Sequence, residues 1–327
     1  MGTPCVRVER ERGERVRTAL ADRGLLDADH EIESEEGWLY IPVTDPERID
    51  GEFEISYRDV AARAHQTTPG DLLGSEPSYE RLGDVVILHE DDPERAREIA
   101  RAVVESDLPV RTVVNRASEI KGELRVREWD LLEGEGTETV HREYGFEYAL
   151  DLSEVYFSPR LATERRRVTE QVRAGERVFD MFAGVGPFAI PAAARGAEVV
   201  AVDLNERAVA YLEENARRNG VADRITAVAG DVREVAPRYR DWADRVIMNL
   251  PHSANEFTES AVALCGEECV LHYYDIQSDE DPFGPGERAI RAAAEPEYEV
   301  TVEECREVRS YAPHELNVCL DVRLRRV

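Results

Sequence analysis

The sequence predicts an α/β protein whose main domain is a doubly wound, mostly parallel sheet with a terminal antiparallel pair, preceded by two smaller α/β domains. Three observations carry that reading. From Val178 onward, strand-like apolar runs alternate regularly with amphipathic helical stretches. Two long β-rich stretches, Tyr298–Tyr311 and Leu316–Arg325, then follow with no helical run between them. Finally, 327 residues exceed the roughly 100–200 of an ordinary single domain.

Residues 1–50 read as a small α/β unit. VRVER suits a strand, ERVRTALADRGLL carries helical apolar spacing at Val16 and Leu20, and GWLYIPV is a strand stopped by Pro42. A loop of Asp45, Pro46 and Gly51 separates residues 51–150. There Arg58–His65 suggests a short helix, and DVVILH (84–89) a buried strand. Asp91-Asp92-Pro93-Glu94 opens a helix with an Asp cap and a first-turn proline, and Ile99, Val103 and Val104 supply its apolar face. VRTVVN, ELRVRE, TETVHR and FEYALDL read as strands, mostly antiparallel. The main domain, 151–327, takes its strands from RVFDMF, AEVVAVD, ITAVAG, DRVIMN and ECVLHYYD, with helices such as ERAVAYLEENARRNG ended by Gly220. A terminal antiparallel pair on a parallel sheet departs from a dinucleotide-binding Rossmann fold and matches the Rossmann-like sheet of class I methyltransferases.

Apolar residues make up 42% of the chain, enough for a sizeable core. No stretch approaches the roughly 18 apolar residues of a membrane span, and the first residues lack a signal-peptide apolar region, so a cytoplasmic protein is expected. The cysteines Cys5, Cys265, Cys269, Cys305 and Cys319 are scattered without zinc-finger spacing and read as reduced thiols, with no metal expected. The formal charge is −28, and Lys121 is the single lysine among 41 basic residues. Such an acidic, arginine-for-lysine surface resembles that of proteins from salt-accumulating, halophilic archaea. In molar salt the Debye length is about 3 Å, so the acidity does not exclude an RNA partner gripped by short-range arginine contacts.

The first strand of the main sheet runs into Phe179-Asp180-Met181-Phe182-Ala183-Gly184-Val185-Gly186-Pro187-Phe188. A glycine turn there lets a ligand approach the backbone, but Phe188 stands near the third glycine of a dinucleotide cradle. The next strands end in Asp203, followed by Leu204, and in Gly230-Asp231. Those carboxylates can accept ribose hydroxyls and sit near an adenine amino group, which suits S-adenosylmethionine; any one of them alone is equally a loop cap. The fourth strand ends in Asn249-Leu250-Pro251-His252, an Asn-x-Pro turn placed where methyltransferases acting on base nitrogens orient a planar base. Residues 153–177 hold six arginines and four glutamates; charge alone reads this as a solvated helix with i,i+4 pairs.

VYFSPRLATERRR, DMFAGVGPF and NLPHSANEF, in that order and spacing, resemble the archaeal and eukaryotic type of tRNA (guanine-37-N1) methyltransferase over the whole chain. The resemblance implies S-adenosylmethionine as methyl donor and tRNA, anticodon loop and body, as partner; a monomer is expected. It implies a small N-terminal domain at 1–50, RNA recognition at 51–150 and catalysis at 151–327; the arginine-bearing segment Arg7 to Arg17 makes the first of these a candidate for docking the tRNA body. Glu164 matches the proposed general base and Asn249 the base-positioning asparagine. Arg125, in Gly122-Glu123-Leu124-Arg125, matches the arginine that holds guanine O6, with Arg127 as an alternative. Tyr156, Arg160, Arg165 and Pro251 match substrate-contacting or supporting positions. Asp180, Phe182, Ala183, Gly184, Val185, Gly186, Asp203, Leu204, Asp231 and Asn249 match the cofactor site. Two other activities compete: an aminocarboxypropyl transferase of the wybutosine pathway, and a paralogue that also methylates a tricyclic wyosine precursor. A non-catalytic tRNA-binding protein is a third.

Overall fold

Strand β1 (Thr3–Glu9) organises the first unit of the computed structural model, which describes residues 2–49, 53–63, 66–118 and 127–327. Val6 and Val8 alternate inward from β1 and meet Val16 and Leu20, one turn apart on α1 (Gly13–Asp22), with Leu25 and Ile41. β2 (Glu33–Glu35) and β3 (Trp38–Pro42) extend the antiparallel sheet on one side, and β4 (Glu54–Arg58) on the other, in the order β2-β3-β1-β4.

The helix expected over Arg58–His65 is absent from its described part: Arg58 ends β4, opposite Thr3, and Asp59–Arg63 are non-helical. Cross-strand charge decides it. Arg58 donates to Glu33 at 3.2 Å and Glu35 at 2.6 Å and stacks over the Tyr40 ring at 3.8 Å. The pairing of β4 carries the unit past residue 50, to Thr68, and it includes Ser106–Leu108.

The second unit holds Pro69–Glu105 and Pro109–Val327. α2 (Pro69–Leu73) leads into a four-stranded sheet, β5 (Tyr79–Leu82), β6 (Val85–Leu88), β7 (Thr112–Arg116) and β8 (Trp129–Glu133), in that order. β6 and β7 are parallel because α3 (Pro93–Glu105) crosses between them; the other neighbours are antiparallel. Asp92 caps α3 by accepting the Glu94 N–H at 2.9 Å. The helix buries Ala96, Ile99, Ala100 and Val103, one stripe at i, i+3, i+4 and i+7, which leaves the expected Val104 47% exposed. ELRVRE lies mostly outside the described residues.

The hairpin of β9 (Glu138–Glu143) and β10 (Phe146–Asp151) joins this region to the main sheet. Leu82, Val85, Val114, Tyr148 and Leu150 share one core with Val168, Val178 and Leu212, so residue 150 marks no break in packing. After α4 (Ala162–Glu170) come β11 (Arg177–Asp180), α5 (Ala189–Ala194), β12 (Glu198–Asp203), α6 (Glu206–Arg218), β13 (Ile225–Ala229), α7 (Val232–Val235), β14 (Ala243–Met248), α8 (Thr258–Leu264), β15 (Cys265–Ser278), α9 (Gly284–Ala294), β16 (Tyr298–Ala312) and β17 (Glu315–Arg326). The seven-stranded sheet runs β13-β12-β11-β14-β15-β17-β16, parallel through β15 and antiparallel at β17 and β16, as expected from the sequence. No helix among the described residues is long and apolar enough to cross a membrane.

Candidate active site

The parallel strands end together at one edge, where ligands settle in doubly wound sheets, and a cavity of about 640 Å³ opens there. Its walls come from the turn after β11, the ends of β12, β13 and β14, Ile276 of β15, Arg309 and Tyr311 of β16, Asn317 of β17, and the segment from Tyr156 to Arg165. A more open groove of about 800 Å³ lies between the β9–β10 hairpin and α6. Its arginines are already committed, Arg81 to the Gly83 carbonyl, Arg111 to Asp84, Arg142 to Glu147 and Arg218 to Glu214.

The glycine turn is tight for a packing reason. Gly186 has φ +95°, and a Cβ there would come within 2.4 Å of Leu212 Cδ1 on α6. Gly184, at φ +54°, has nothing closer than the Tyr156 carbonyl at 4.0 Å and leaves backbone open to the cavity. Asp203 ties the turn to β12: its carboxylate accepts the Gly184 N–H at 2.7 Å and the Asn205 N–H at 2.9 Å. Burial pushes its pKa up, against those two donors. A carboxylate has about four lone-pair sites, so about two remain for a ligand.

Phe182, Ala183, Gly184, Asp203, Leu204, Asp231, Asn249, Pro251, Tyr156 and Arg165 all line the cavity. Asp231 caps α7 through the Arg233 N–H at 2.8 Å and pairs with the Arg233 guanidinium. That guanidinium lies 5.0 Å over Phe257, whose ring meets Phe182 edge-on at 5.0 Å. Leu204 is 45% exposed, an apolar face turned to the opening. The Asn249 turn is held by two hydrogen bonds, Ser253 N–H to Leu250 O and Ile276 N–H to Pro251 O, each 3.2 Å.

Among the described residues, five expected ones lie off this wall. Asp180, Val185 and Gly186 sit beneath it. Asp180 is wholly buried with no hydrogen bond of ordinary geometry on its carboxyl oxygens. Burial pushes its pKa up to about 8, and the nearby Phe182 N–H works the other way. Arg160 pairs with Glu80 outside the cavity. Arg125 lies outside the described residues; the guanidinium of its alternative, Arg127, is 5.4 Å over the Trp129 ring.

Glu164, the fifth, is not part of a solvated helix face; that role falls to the exposed i,i+4 pair Arg166–Glu170. Glu164 is 5% exposed and its carboxylate takes three donors: Arg167 at 2.7 Å, Arg306 at 3.1 Å and the Tyr274 hydroxyl at 2.9 Å. Arg167 continues to Asp321, Asp321 to His272, His272 to Arg245 and Arg245 to Glu176. Burial works to raise the Asp321 pKa, yet hydrogen bonds from His272 and Arg167 carry it well below the usual carboxylate range. His272, Cys319 and Asp321 converge within 4.8 Å, but both ring nitrogens of His272 are engaged, Nδ1 with the Asp321 carboxylate at 2.6 Å and Nε2 as the acceptor from Arg245 at 2.6 Å.

Sequence reasoning missed Glu143. It holds Arg165, 3% exposed, through a bidentate pair, and Arg165 also donates to the Ser158 carbonyl at 3.0 Å and lies 4.9 Å over Phe157. It also missed Arg309 and Asn317, neither of which belongs to a local motif, and it gave no role to Phe257, which ends the NLPHSANEF block.

Comparison with known proteins places this site in context. The TRM5/TYW2 methyltransferase domain matches residues 139–302, the tRNA methyltransferase 5 N-terminal domain matches 5–50, and the TYW2 N-terminal domain matches 65–137. The chain is 41% identical to the tRNA (guanine(37)-N(1))-methyltransferase Trm5b of Pyrococcus abyssi, over 98% of this chain and 99% of that one. It is 34% identical to the tRNA(Phe) (4-demethylwyosine(37)-C(7)) aminocarboxypropyltransferase of Pyrococcus horikoshii, over 78% of this chain and 92% of that one. Among solved structures, a complex of aTrm5 with tRNALeu superposes with a TM-score of 0.73 at 33% identity, covering 98% of this chain and 99% of that one.

Proposed function

This chain belongs to the family of archaeal and eukaryotic-type tRNA (guanine-37-N1)-methyltransferases, and from that membership we propose that it methylates N1 of guanosine-37 in tRNA. The likeness to an N1-methyltransferase over nearly the whole of both chains carries the reading. S-adenosylmethionine is the methyl donor and supplies, when bound, a methyl group on a positively charged sulfur. The cavity fits it: two free lone-pair sites on Asp203 suit the ribose hydroxyls, Leu204 offers the adenine an apolar face, and Gly184 leaves room for the chain of the ligand.

The other residues then divide the work. Guanine N1 carries a proton and is a poor nucleophile until it is removed. Glu164 takes that proton, Arg125 stabilises the charge that moves onto O6, and Asn249 orients the base edge, with Pro251 and Tyr156 flanking it. Arg165, fixed by Glu143, and Arg160 support the segment that carries Glu164. For Glu164 to act, one of its donors must yield; Arg306, 40% exposed against 14% for Arg167, is the one placed to leave. The N-terminal unit docks the tRNA body, and the enzyme works as a cytoplasmic monomer in a salt-accumulating archaeon.

The match of residues 65–137 to the TYW2 N-terminal domain keeps the aminocarboxypropyl transfer as a second reading. Mass mapping of a tRNA transcript after incubation with enzyme and S-adenosylmethionine separates the two. A methyl group on guanosine-37 is expected; an aminocarboxypropyl group, or no transfer, overturns the proposal.

A further inference from the structure

Three arginines line the cavity, and two are neutralised: Arg165 by Glu143 and Arg233 by Asp231. The Arg309 side chain makes no ion pair or hydrogen bond among the described residues, and its Nε is buried without a partner. In a chain of charge −28, where carboxylates are plentiful, a half-buried arginine left unpaired on a cavity wall is open to an anion from outside. Opposite it in the β16–β17 ladder stands Asn317, 3% exposed, lining the same cavity, its Oδ1 buried and accepting nothing. An unpartnered cation and an unpartnered acceptor thus sit side by side, aimed at one volume.

Their place in the sheet says which end of the cavity they serve. β17 lies two strands from β14, which carries Asn249, and four from β12, which carries Asp203. At about 4.8 Å per strand this is about 10 Å from the Asn249 strand and about 19 Å from the Asp203 strand. The pair therefore belongs to the target-nucleotide side, not the adenosine side. Exposed Tyr311, in edge contact with His252 at 5.1 Å, borders it.

We propose that Arg309 and Asn317 form a nucleotide-backbone subsite, Arg309 holding a phosphate oxygen next to the target guanosine and Asn317 Oδ1 accepting the 2′-hydroxyl of that nucleotide. The 2′-hydroxyl is the donor that marks RNA, and phosphate is the anion an unpaired guanidinium fits. The inference rests on the tRNA reading above and adds the contact by which this chain grips the backbone at the reacting base.

The test uses the full chain and a tRNA transcript carrying guanosine-37. Binding is titrated across salt for wild type, Arg309→Gln and Arg309→Lys. Removing one phosphate contact to a single-stranded loop should lower the slope of log affinity against log salt by about 0.7 in Arg309→Gln, with Arg309→Lys closer to wild type. S-adenosylmethionine affinity should stay unchanged, which also shows that the variants fold. A second arm needs no variant: a neutral methylphosphonate placed on either side of guanosine-37 should weaken wild-type binding at one position and be without effect there in Arg309→Gln. A 2′-deoxy target nucleotide should slow wild type severalfold and leave Asn317→Leu, which keeps the volume, indifferent. Unchanged salt slopes with flat methylphosphonate and 2′-deoxy responses overturn the subsite while methylation of guanosine-37 still stands. Loss tied to the base 2-amino group in an inosine transcript, with no 2′-deoxy effect, overturns the ribose assignment. A wild-type enzyme that leaves guanosine-37 unmodified overturns the tRNA reading and the subsite with it.

Discussion

Arg165 grips Glu143 through two parallel hydrogen bonds, Nε to Oε1 at 2.8 Å and Nη2 to Oε2 at 2.6 Å, with the two side chains 4% and 6% exposed. Burial works to raise the Glu143 pKa, but Arg165 and His141 lower it overall. Glu143→Ala leaves a buried guanidinium unpaired and should destabilise the protein by about 3–5 kcal/mol in chemical denaturation. Because the folded carboxyl titrates below its unfolded value of about 4.3, its contribution is complete above that pH and fades as pH falls through the folded value. Wild type should therefore lose stability on acidification over that window, and Glu143→Gln should lose less.

Glu164→Gln keeps the shape but removes the proton acceptor, and its amide NH2 can no longer accept from one of the arginines. Single-turnover methyl transfer should slow by about 10²–10⁴-fold, with S-adenosylmethionine affinity nearly unchanged. Near-wild-type single-turnover rates would show that Glu164 only anchors Arg167 and Arg306.

Asp203→Ala removes both the acceptor that pins the glycine turn and the lone pairs proposed for the ribose. Calorimetry should report S-adenosylmethionine binding weaker by about 1–3 kcal/mol. Equal affinity in the variant would remove Asp203 from the cofactor site.

Gly186→Ala forces a Cβ to 2.4 Å from Leu212 and 2.9 Å from Ile190 at φ +95°. Strain of about 1–3 kcal/mol should lower thermal stability and loosen the turn, weakening S-adenosylmethionine binding. Gly184→Ala, also at positive φ but 4.0 Å from its nearest neighbour, should cost less fold stability.

Cutting after residue 50 should leave β4 without β1, an unpaired edge strand that promotes association, whereas cutting after residue 68 removes the sheet as a whole. Light scattering should show the longer deletion monomeric with S-adenosylmethionine binding retained, and the shorter one aggregating.

The main sheet was legible in sequence because its strands are buried apolar runs with strongly periodic helices between them, and each strand-end motif sits within a few residues of its strand. Asp203, Asn249 and Gly184 of the glycine turn are local signals, and all three line the cavity. Errors came where contacts across the chain decide. Arg58, read as the start of a helix over 58–65, instead ends β4, as Glu33, Glu35 and Tyr40 beside it show. β2, β5 and β8 are three to five residues long and rich in charge, so periodicity had little to act on. Glu143 stands 22 residues from Arg165, and nothing near either residue announces the pair. Asn317 and Arg309 look like ordinary strand residues, and only their missing partners set them apart.

The position of β17 has a consequence for synthesis. This strand follows every other strand of its sheet in sequence, yet it lies inside, between β15 and β16, and carries Asn317 to the cavity. β16 has no neighbour in the sheet until β17 is made, and Asp321, which anchors Arg167 behind Glu164, arrives on the same strand. While the ribosome is still building the preceding strands, the nascent chain already holds Asp203, proposed for the adenosine, but lacks Asn317 and Asp321. A chain released early should thus capture the methyl donor without being able to spend it on RNA.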